Sequence, residues 1–478
     1  MKTITKKVRN AAIVLAVFML ASSCGGGKVT DVWDERELVL TAIQPGIPCY
    51  LGSNITYRRD GKPLLSVELQ EPVVLSVASK PERWGPYQFP NLFRNAKGLV
   101  EATWYLGADH PKDYGKKLEG TMVSSDNGKT WRSPDQPAPM NEPTAYGRNT
   151  LFLPRAGYSI GIHTQLSLKA SELQLPPQPV ASLFENYGST FFFYRISELP
   201  AVLQGVFLNR LDGNGEWSVI HAGLEDPKAV RYSRAVGRPE KLVEEPLISI
   251  VWEGNMKLLS DNSIVTGIYP SFYENETGGV DPSCVSFYRS TDDGMNWKIL
   301  GKIPYSYDPA VDPNGNKRLV MGFTEPSFEI LSDGTFLCMM RTTDGLGHSP
   351  MYHSRSSDQG ATWSQPKPIT PAGVLPRLLQ LENGVLVLSS GRPGVQLRFS
   401  IDGKGEKWTD PFEMLPFTET ALDIERNSHD VSCGYTELLA IGSDRFLVIY
   451  SDFKFLNENG EKRKAIKVRE IKVTKKSK

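Results

Sequence analysis

Residues 356–363 read Ser-Ser-Asp-Gln-Gly-Ala-Thr-Trp, and the pattern within them, Ser-x-Asp-x-Gly-x-x-Trp, decides the fold. An Asp carboxylate can accept backbone N–H groups and Gly tolerates positive φ, so the octapeptide predicts a tight turn. The pattern returns at 124–131 (SSDNGKTW) and 290–297 (STDDGMNW), with one inserted residue at 400–408 (SIDGKGEKW), and in reduced form at 211–217 (LDGNGEW). Several copies in one chain indicate a repeat architecture.

A second repeat, an apolar hairpin, alternates with these turns. Its copies begin at Phe89, Glu253, Glu325, Leu375 and Tyr435. Asp-Gly at 333–334 and Asn-Gly at 383–384 are typical of two-residue hairpin turns between strands. A hairpin, a variable loop and a strand that ends in the Asp turn make a four-stranded blade, and a ring of such blades is a β-propeller.

The predicted fold class is therefore all-β, a six-bladed β-propeller over residues 81–474. A blade needs about 40–50 residues, and the uneven spacing of the turn Trp residues leaves seven blades as the alternative. A two-sheet jelly roll would not explain the repeated unit of hairpin and turn. The basic tail alternates in hydropathy around Ala465–Val473, which predicts a last strand that closes the ring.

Composition narrows the classes of partner. With 54 Lys and Arg against 54 Asp and Glu, the chain has no net charge, so nothing indicates nucleic acid as a partner. Apart from Cys24, the Cys spacings match no zinc or redox motif, and we predict neither a metal cluster nor a cofactor. In an oxidising compartment two of the Cys residues could form a disulfide, but the sequence does not identify the pair. Cys338 is expected to pack in the core.

The N-terminus has the features of a targeting segment. Four basic residues within the first nine precede an apolar run over 11–21, which is too short to span a bilayer. Ala-Ser-Ser-Cys at 21–24, followed by three Gly, resembles a bacterial lipoprotein cleavage site with Cys24 as the lipidated residue. The alternative is an ordinary secretory signal. We expect a signal peptide at 1–23, a linker with lead-in strands at 24–80, and a protein that is lipid-anchored outside the cytoplasm, on the outer membrane.

Candidate binding residues follow from the propeller geometry, because the inner strands of all blades converge on one axis. Counting from the hairpin turns places Gln88, Glu253, Glu325, Leu375 and Tyr435 at equivalent starts of inner strands. Two Arg follow the turns by seven and eight residues, at Arg341 and Arg392. Each of them alone suits an ordinary structural role, but the set predicts a polar ligand pocket.

Residues 84–452 resemble the sialidase superfamily of six-bladed propeller glycosidases, and the turns resemble its Asp-box repeats. Thr324–Ser327, with Arg341 after the hairpin turn, is similar to the segment that carries the catalytic Glu and the second arginine of that family. Arg392–Ser400 resembles the segment with the third arginine. Gly434–Leu438 resembles the segment with the catalytic tyrosine.

This resemblance implies an exo-acting retaining glycoside hydrolase with a glycan substrate. Tyr435 would be the nucleophile and Glu325 the base that takes its proton, because a phenol with a pKa near 10 is otherwise a poor nucleophile. The acid/base would be Asp109 or Asp113, in the loop after the first hairpin. The alternative for Tyr435 is a core tyrosine with a satisfied hydroxyl.

The chain departs from the family at Gln88, where sialidases have the first of three arginines that hold the sialic acid carboxylate. Gln carries neither a charge nor a bidentate fork. Either another cation replaces that arginine or the sugar is not sialic acid, and the candidate cations are Arg58, Arg59, Arg94 and Arg148. Arg341, Arg392, Gln88 and Glu253 are the predicted substrate-binding residues.

Two other functions are compatible with the same scaffold and are kept as alternatives. A polysaccharide lyase would use a Tyr or His to abstract a proton from a uronate, with Arg neutralising the carboxylate, and His110, His163 and His348 are candidates. A non-catalytic glycan-binding lipoprotein is the third. Retention of Glu325, Tyr435 and both arginines favours an enzyme, although a fold alone never proves activity.

Overall fold

The computed structural model describes residues 65–475, apart from 96, 109–118, 135–149, 163–165, 186–187, 214–215, 251, 314, 344–348, 393 and 416–430. The predicted signal peptide, Cys24 and Cys49 lie outside the described residues. Within them, strands dominate, joined by turns and short 3-10 segments. The predicted all-β class is confirmed.

The first five strands contribute to two sheets. They are β1 (Leu65–Leu69), β2 (Val73–Val77), β3 (Gln88–Arg94), β4 (Val100–Tyr105) and β5 (Glu119–Ser124). β3, β4 and β5 form an antiparallel sheet in chain order. β5 ends at Ser124, the first residue of the first Asp turn.

The middle of the chain forms one continuous sheet of fourteen strands. Hairpin β16–β17 and strands β18 and β19 lie in chain order within it, as a blade requires, while β12 pairs in parallel with β19 and β13 pairs with β17. The additional strands account for the long spacing between Asp turns here. The strands are β6 (Thr150–Leu153), β7 (Tyr158–Ile162), β8 (Leu166–Lys169), β9 (Ala181–Glu185), β10 (Ser189–Arg195), β11 (Val206–Leu211), β12 (Trp217–Glu225), β13 (Ala229–Arg238), β14 (Lys241–Leu242), β15 (Leu247–Ile250), β16 (Glu253–Leu258), β17 (Ile264–Tyr273), β18 (Cys284–Ser290) and β19 (Asn296–Ile303).

The C-terminal part contains two four-stranded antiparallel sheets in chain order, followed by a sheet that also takes up the first strands of the domain. β1 and β2 both pair with the last strand, β30, so the two ends of the described chain share one sheet. The strand predicted around Ala465–Val473 is confirmed as part of β30. The strands are β20 (Phe323–Ile330), β21 (Phe336–Thr342), β22 (Met351–Ser356), β23 (Lys367–Thr370), β24 (Val374–Gln380), β25 (Leu386–Gly391), β26 (Val395–Ser400), β27 (Phe412–Leu415), β28 (Thr436–Ala440), β29 (Arg445–Leu456) and β30 (Lys462–Lys475).

All five predicted hairpins are present as antiparallel pairs: β3–β4, β16–β17, β20–β21, β24–β25 and β28–β29. Sheets of this order, packed one against the next, make the fold propeller-like. Six blades remains a prediction.

The Asp turns have the hydrogen bonds that their sequence predicts. In the copy at 356–363, Ser356 Oγ donates to Asp358 Oδ1 (2.7 Å) and accepts from Gly360 N–H (2.8 Å). Asp358 Oδ1 accepts from Thr362 N–H (2.8 Å), and Trp363 Nε1 donates to the Gly360 carbonyl (3.0 Å). Corresponding bonds from Ser, Gly and Trp recur at 124–131, 290–297 and 400–408. The repeated sequence therefore encodes a repeated turn.

Apolar side chains fill the space between successive sheets. Leu337 and Met339 of β21 pack in one cluster with Leu386 and Leu388 of β25. A second cluster joins β24–β27 to β1 and β28–β30, and a third joins β3 and β4 to β29 and β30. Both faces of these strands are covered, which explains their nearly continuous apolar sequences.

Candidate active site

Three inner strands share an irregularity that shapes the site. β3, β20 and β24 each carry a bulge at a residue followed by Pro, and the residue before that Pro has positive φ: 50° at Phe89, 49° at Glu325 and 41° at Leu375. Pro is tolerated in strands chiefly at edges and bulges. Positive φ is costly for residues other than Gly, and such strain concentrates at functional sites.

The pairing register of the strands corrects the predicted alignment by one residue. Gln88 pairs with Tyr105 just as Thr324 pairs with Arg341. Gln88 is therefore equivalent to Thr324, and Phe89 is equivalent to Glu325. Counting from the hairpin turn misplaced the first copy because it allowed one extra residue before that turn, whereas the β3–β4 loop (95–99) and the β20–β21 loop (331–335) have the same length.

Glu325 is the centre of the site. Its side chain is buried, with 4% of its surface exposed. Oε2 accepts from the backbone N–H of Leu375 (2.8 Å). Oε1 accepts from Arg341 Nη1 (2.7 Å) and from the hydroxyl of Tyr435. A carboxylate with three donors is held in one orientation.

Arg341 connects the other two groups, because its Nη1 also donates to the Tyr435 hydroxyl (3.2 Å). Arg341 is the partner of Thr324 across the β20–β21 hairpin, whereas Tyr435 directly precedes β28. The structure thus brings together Glu325, Arg341 and Tyr435, as predicted, from two separate sheets.

Arg392, also predicted, lies beside this group. Its guanidinium carbon is 5.5 Å from the centroids of both the Trp84 and Tyr435 rings, which are cation–π distances. Nε donates to the Cys433 carbonyl (3.0 Å), and the residue has a φ of 50° directly after β25. These contacts fix the guanidinium. It forms no ion pair with a carboxylate among the described residues.

The protonation states follow from these contacts. Burial raises the pKa of Glu325, but Arg341, the hydrogen bond from Tyr435 and Arg392 outweigh it, so the pKa lies below its usual value. Burial, together with the adjacent Glu325 carboxylate, raises the pKa of Tyr435. The resting site thus holds an ionised carboxylate and a neutral phenol.

The two arginines are close enough to affect one another. Burial, and then the positive charge of Arg341, lower the pKa of Arg392. Burial lowers the pKa of Arg341 too, but the Glu325 carboxylate more than compensates and raises it. Two guanidinium groups with one carboxylate leave an excess of positive charge, which suits an anionic ligand group.

Gln88 is fully buried, and neither atom of its amide has a hydrogen-bond partner among the described residues. It precedes Phe89, whose ring centroid is 5.2 Å from that of Tyr435. Of the cations considered as replacements for a first arginine, Arg94 instead binds the first Asp turn, where it donates to Asn127 Oδ1 (2.7 Å). Arg58, Arg59 and Arg148 lie outside the described residues.

Of the remaining predicted residues, the structure describes only Glu253. Glu253 begins β16, where its backbone pairs with Tyr269. Both acid/base candidates, Asp109 and Asp113, lie outside the described residues, as do His110, His163 and His348.

Sequence reasoning missed several groups that shape the site. Trp84 comes from the lead-in to β3 and carries no repeat signature. Leu375 acts through its backbone N–H, which sequence patterns do not identify. Tyr269 is the partner of Glu253 across its hairpin and raises the pKa of Arg341. It could have been found from its register, because Arg341 occupies the same position in the β20–β21 hairpin.

The described residues also bear on metals, thiols and membranes. Within the described residues, no group of three or more His, Cys, Asp and Glu side chains could hold a metal ion. Cys284, Cys338 and Cys433 are buried free thiols, and Cys338 lies in a core cluster as predicted. The described part of the chain has no helix with the length and apolarity to cross a membrane.

Comparison with known proteins gives structural similarity alone. No family model and no curated protein sequence matches the chain. A protein of unknown function from Dyadobacter fermentans is similar in structure, with 17% identity, 85% of this chain and 99% of that chain covered, and a TM-score of 0.54.

Two enzymes are more distant. A sialidase titled Hadza microbial sialidase Hz136 has 16% identity over 82% of this chain and 66% of that chain, with a TM-score of 0.43. An alpha-L-arabinanase from Penicillium chrysogenum has 16% identity over 84% of this chain and 98% of that chain, with a TM-score of 0.43. The Dyadobacter protein supports the overall fold, and the site must be interpreted from its own geometry.

Proposed function

We propose that the protein is an exo-acting retaining glycoside hydrolase that removes a terminal, acidic sugar from glycans. The observation that carries the proposal is the hydrogen bond from the Tyr435 hydroxyl to the ionised Glu325 carboxylate, with Arg341 bound to both. A nucleophile bonded to a base that a third group orients is the arrangement by which enzymes activate weak nucleophiles.

The reaction would proceed in two steps. As the Tyr435 oxygen attacks the anomeric carbon, its proton passes to Glu325, and an acid protonates the departing glycosidic oxygen. The ionised acid then takes a proton from water, whose oxygen attacks the anomeric carbon and displaces the Tyr435 phenolate, and Glu325 returns its proton to that phenolate. Each displacement inverts the anomeric carbon, so the configuration is retained overall. Asp109 or Asp113 is proposed as that acid.

The positive charge around Tyr435 supports an acidic substrate. Arg341 and Arg392 would bind the carboxylate of the sugar, and a neutral phenol approaches an anomeric carbon near a carboxylate with less repulsion than an ionised Asp or Glu would. Gln88 offers a hydrogen bond where sialidases have a charged fork, so we propose an acidic sugar other than sialic acid.

The buried amide of Gln88 leads to a prediction about stability and activity together. Gln88→Met is expected to keep or raise the free energy of unfolding, by about 1 kcal/mol, because it removes two buried polar atoms that have no partner among the described residues. If the amide binds the sugar, kcat/KM falls about 10-fold in the same variant. Urea titration and initial rates measure the two quantities.

Gln396→Met is the matched control, since Gln396 is also buried but accepts from Arg398 Nη1 (3.1 Å). We expect that variant to lose stability with unchanged kcat/KM. Loss of stability without loss of activity in Gln88→Met would mean that the amide is structural.

A substrate screen tests the proposed function. The protein is assayed on aryl glycosides of neutral sugars, uronic acids and sialic acid, and on uronate-containing polysaccharides. We expect release of a terminal acidic sugar whose configuration, followed by NMR from the start of the reaction, is retained. Turnover of the sialoside alone would refute the proposed departure from sialic acid.

The screen also separates a lyase from a hydrolase. A tyrosine between two arginines would equally suit proton abstraction from a uronate, whose carboxylate the arginines would neutralise. Elimination gives an unsaturated uronate that absorbs in the ultraviolet, whereas hydrolysis does not. That absorbance would replace the hydrolase proposal, and binding without turnover would indicate a glycan-binding protein.

A further inference from the structure

A cavity of ≈ 50 Å³ lies where strand β13 packs against the β17–β18 hairpin. Arg231, Tyr232, Trp252, Tyr273 and Tyr288 line it, together with Ser249, Ser271 and apolar side chains. None of the catalytic candidates described above is among its lining residues, so the proposed glycosidase chemistry does not use it. A cavity of this volume accommodates one or two water-sized species.

Arg231 brings a positive charge to the cavity wall. The residue is 8% exposed, and Nη2 donates to the Gly205 carbonyl (3.0 Å). Nε is buried and has no acceptor, and no carboxylate forms an ion pair with this guanidinium among the described residues. Burial lowers the pKa of Arg231 to about 10, so the side chain remains charged at neutral pH.

Trp252 provides a second donor without an acceptor. The side chain is 1% exposed, and its Nε1–H has no hydrogen-bond partner in the described structure. Edge-to-face contacts with Trp297 (5.2 Å between centroids) and Tyr288 (5.7 Å) fix the ring. Because these rings pack the indole on its other sides, it cannot turn to find an acceptor elsewhere without losing the contacts.

The buried carboxylate of Asp226 forms no ion pair with Arg231. Asp226 is buried and accepts at Oδ2 from the hydroxyls of Tyr273 (2.6 Å) and Tyr288 (2.8 Å). The protons of both hydroxyls are therefore used in hydrogen bonds to Asp226. The cavity is left with a buried guanidinium that makes no ion pair among the described residues and an indole N–H without an acceptor, and burying an unpaired charge is unfavourable.

We infer that this cavity binds a small monovalent anion, a halide or a carboxylate of one or two carbons, through Arg231 Nε and Trp252 Nε1. A guanidinium that makes no ion pair in the described part of the chain calls for one negative charge, and a volume of ≈ 50 Å³ suits a small anion. Water would satisfy the donors but not the charge. The anion would stabilise the packing of β13 on the β17–β18 hairpin.

Crystals of the wild-type protein in sodium bromide provide the direct test. We expect an anomalous difference peak within hydrogen-bonding distance of Arg231 Nε and Trp252 Nε1. A cavity without that peak, in a crystal that shows bromide elsewhere on the surface, would overturn the inference. The test involves no catalytic residue, so its outcome is independent of the proposed function.

Thermal unfolding at constant ionic strength gives a solution test. Chloride, bromide or formate, compared with the larger gluconate, is expected to raise the Tm of the wild type by about 2–4 °C. Arg231→Met should lose this difference. Arg234→Met, on the same strand, should keep it. The half-saturating concentrations of chloride and formate decide between a halide and a carboxylate.

A second variant keeps the test informative if Arg231→Met does not fold. Trp252→Phe removes one donor and retains most of the ring packing, so the half-saturating bromide concentration is expected to rise about 5- to 10-fold. An unchanged value, or an equal rise of Tm in Arg231→Met and the wild type, would refute the site.

Discussion

Tyr435→Phe is expected to lower kcat/KM by about 10³-fold or more on whichever glycan the screen identifies. The change removes the proposed nucleophile and nothing else from the site. Glu325 keeps its bonds from Arg341 Nη1 and from the Leu375 N–H, so the carboxylate stays oriented. Stability should change little, which circular dichroism during thermal unfolding would verify.

Tyr450→Phe is the matched control for this variant. Tyr450 is also a buried tyrosine, and it lies across the hairpin from Thr436, the residue after Tyr435. Its hydroxyl has no role in the proposed reaction, and we expect kcat/KM to stay within about twofold of the wild type. Full activity of Tyr435→Phe would remove the tyrosine as nucleophile.

Arg341→Met is expected to have the largest effect on stability, a loss of about 3–5 kcal/mol at neutral pH. Removing the guanidinium leaves the Glu325 carboxylate buried without its main counter-charge. Urea titration measures the loss. In the double variant Arg341→Met with Glu325→Gln, a neutral amide needs no counter-charge, so we expect the double variant to be more stable than Arg341→Met alone.

The same variant has a predictable dependence on pH. In the wild type the pKa of Glu325 is lowered, so its contribution to stability is present above the unfolded-state pKa and is lost as pH falls through the folded-state value. In Arg341→Met burial dominates and raises that pKa, so the variant becomes less stable as pH rises. The difference between the two proteins should therefore shrink toward acidic pH. A constant difference would show that Arg341 stabilises the fold by packing alone.

The repeats explain why much of the fold could be predicted. Ser356, Asp358 and Gly360 form a turn from contacts within eight residues, and apolar hairpins around Asp-Gly or Asn-Gly leave few alternatives to paired strands. The additional strands between β6 and β15 could not be placed, because they follow no repeat and their pairing depends on distant partners.

The catalytic candidates could be predicted as a set but not in their detailed arrangement. Tyr435 and Glu325 are 110 positions apart, yet their equivalent places in two hairpins indicated that they would meet. The bulge at Glu325 and the donation from the Leu375 N–H could not be seen, because both depend on backbone conformation. The one-residue error in the alignment of Gln88 became visible only in the register of β3 with β4.

The pairing of β1 and β2 with β30 has a consequence for how the protein is made. Among the described strands β30 is synthesised last, and β1 and β2 pair with it, so this sheet cannot be completed until β30 has emerged. Contacts between residues so far apart in the chain fold slowly. If the chain is exported, as its N-terminus predicts, the delay would keep this sheet unformed during transport, and it would assemble only once β30 has crossed.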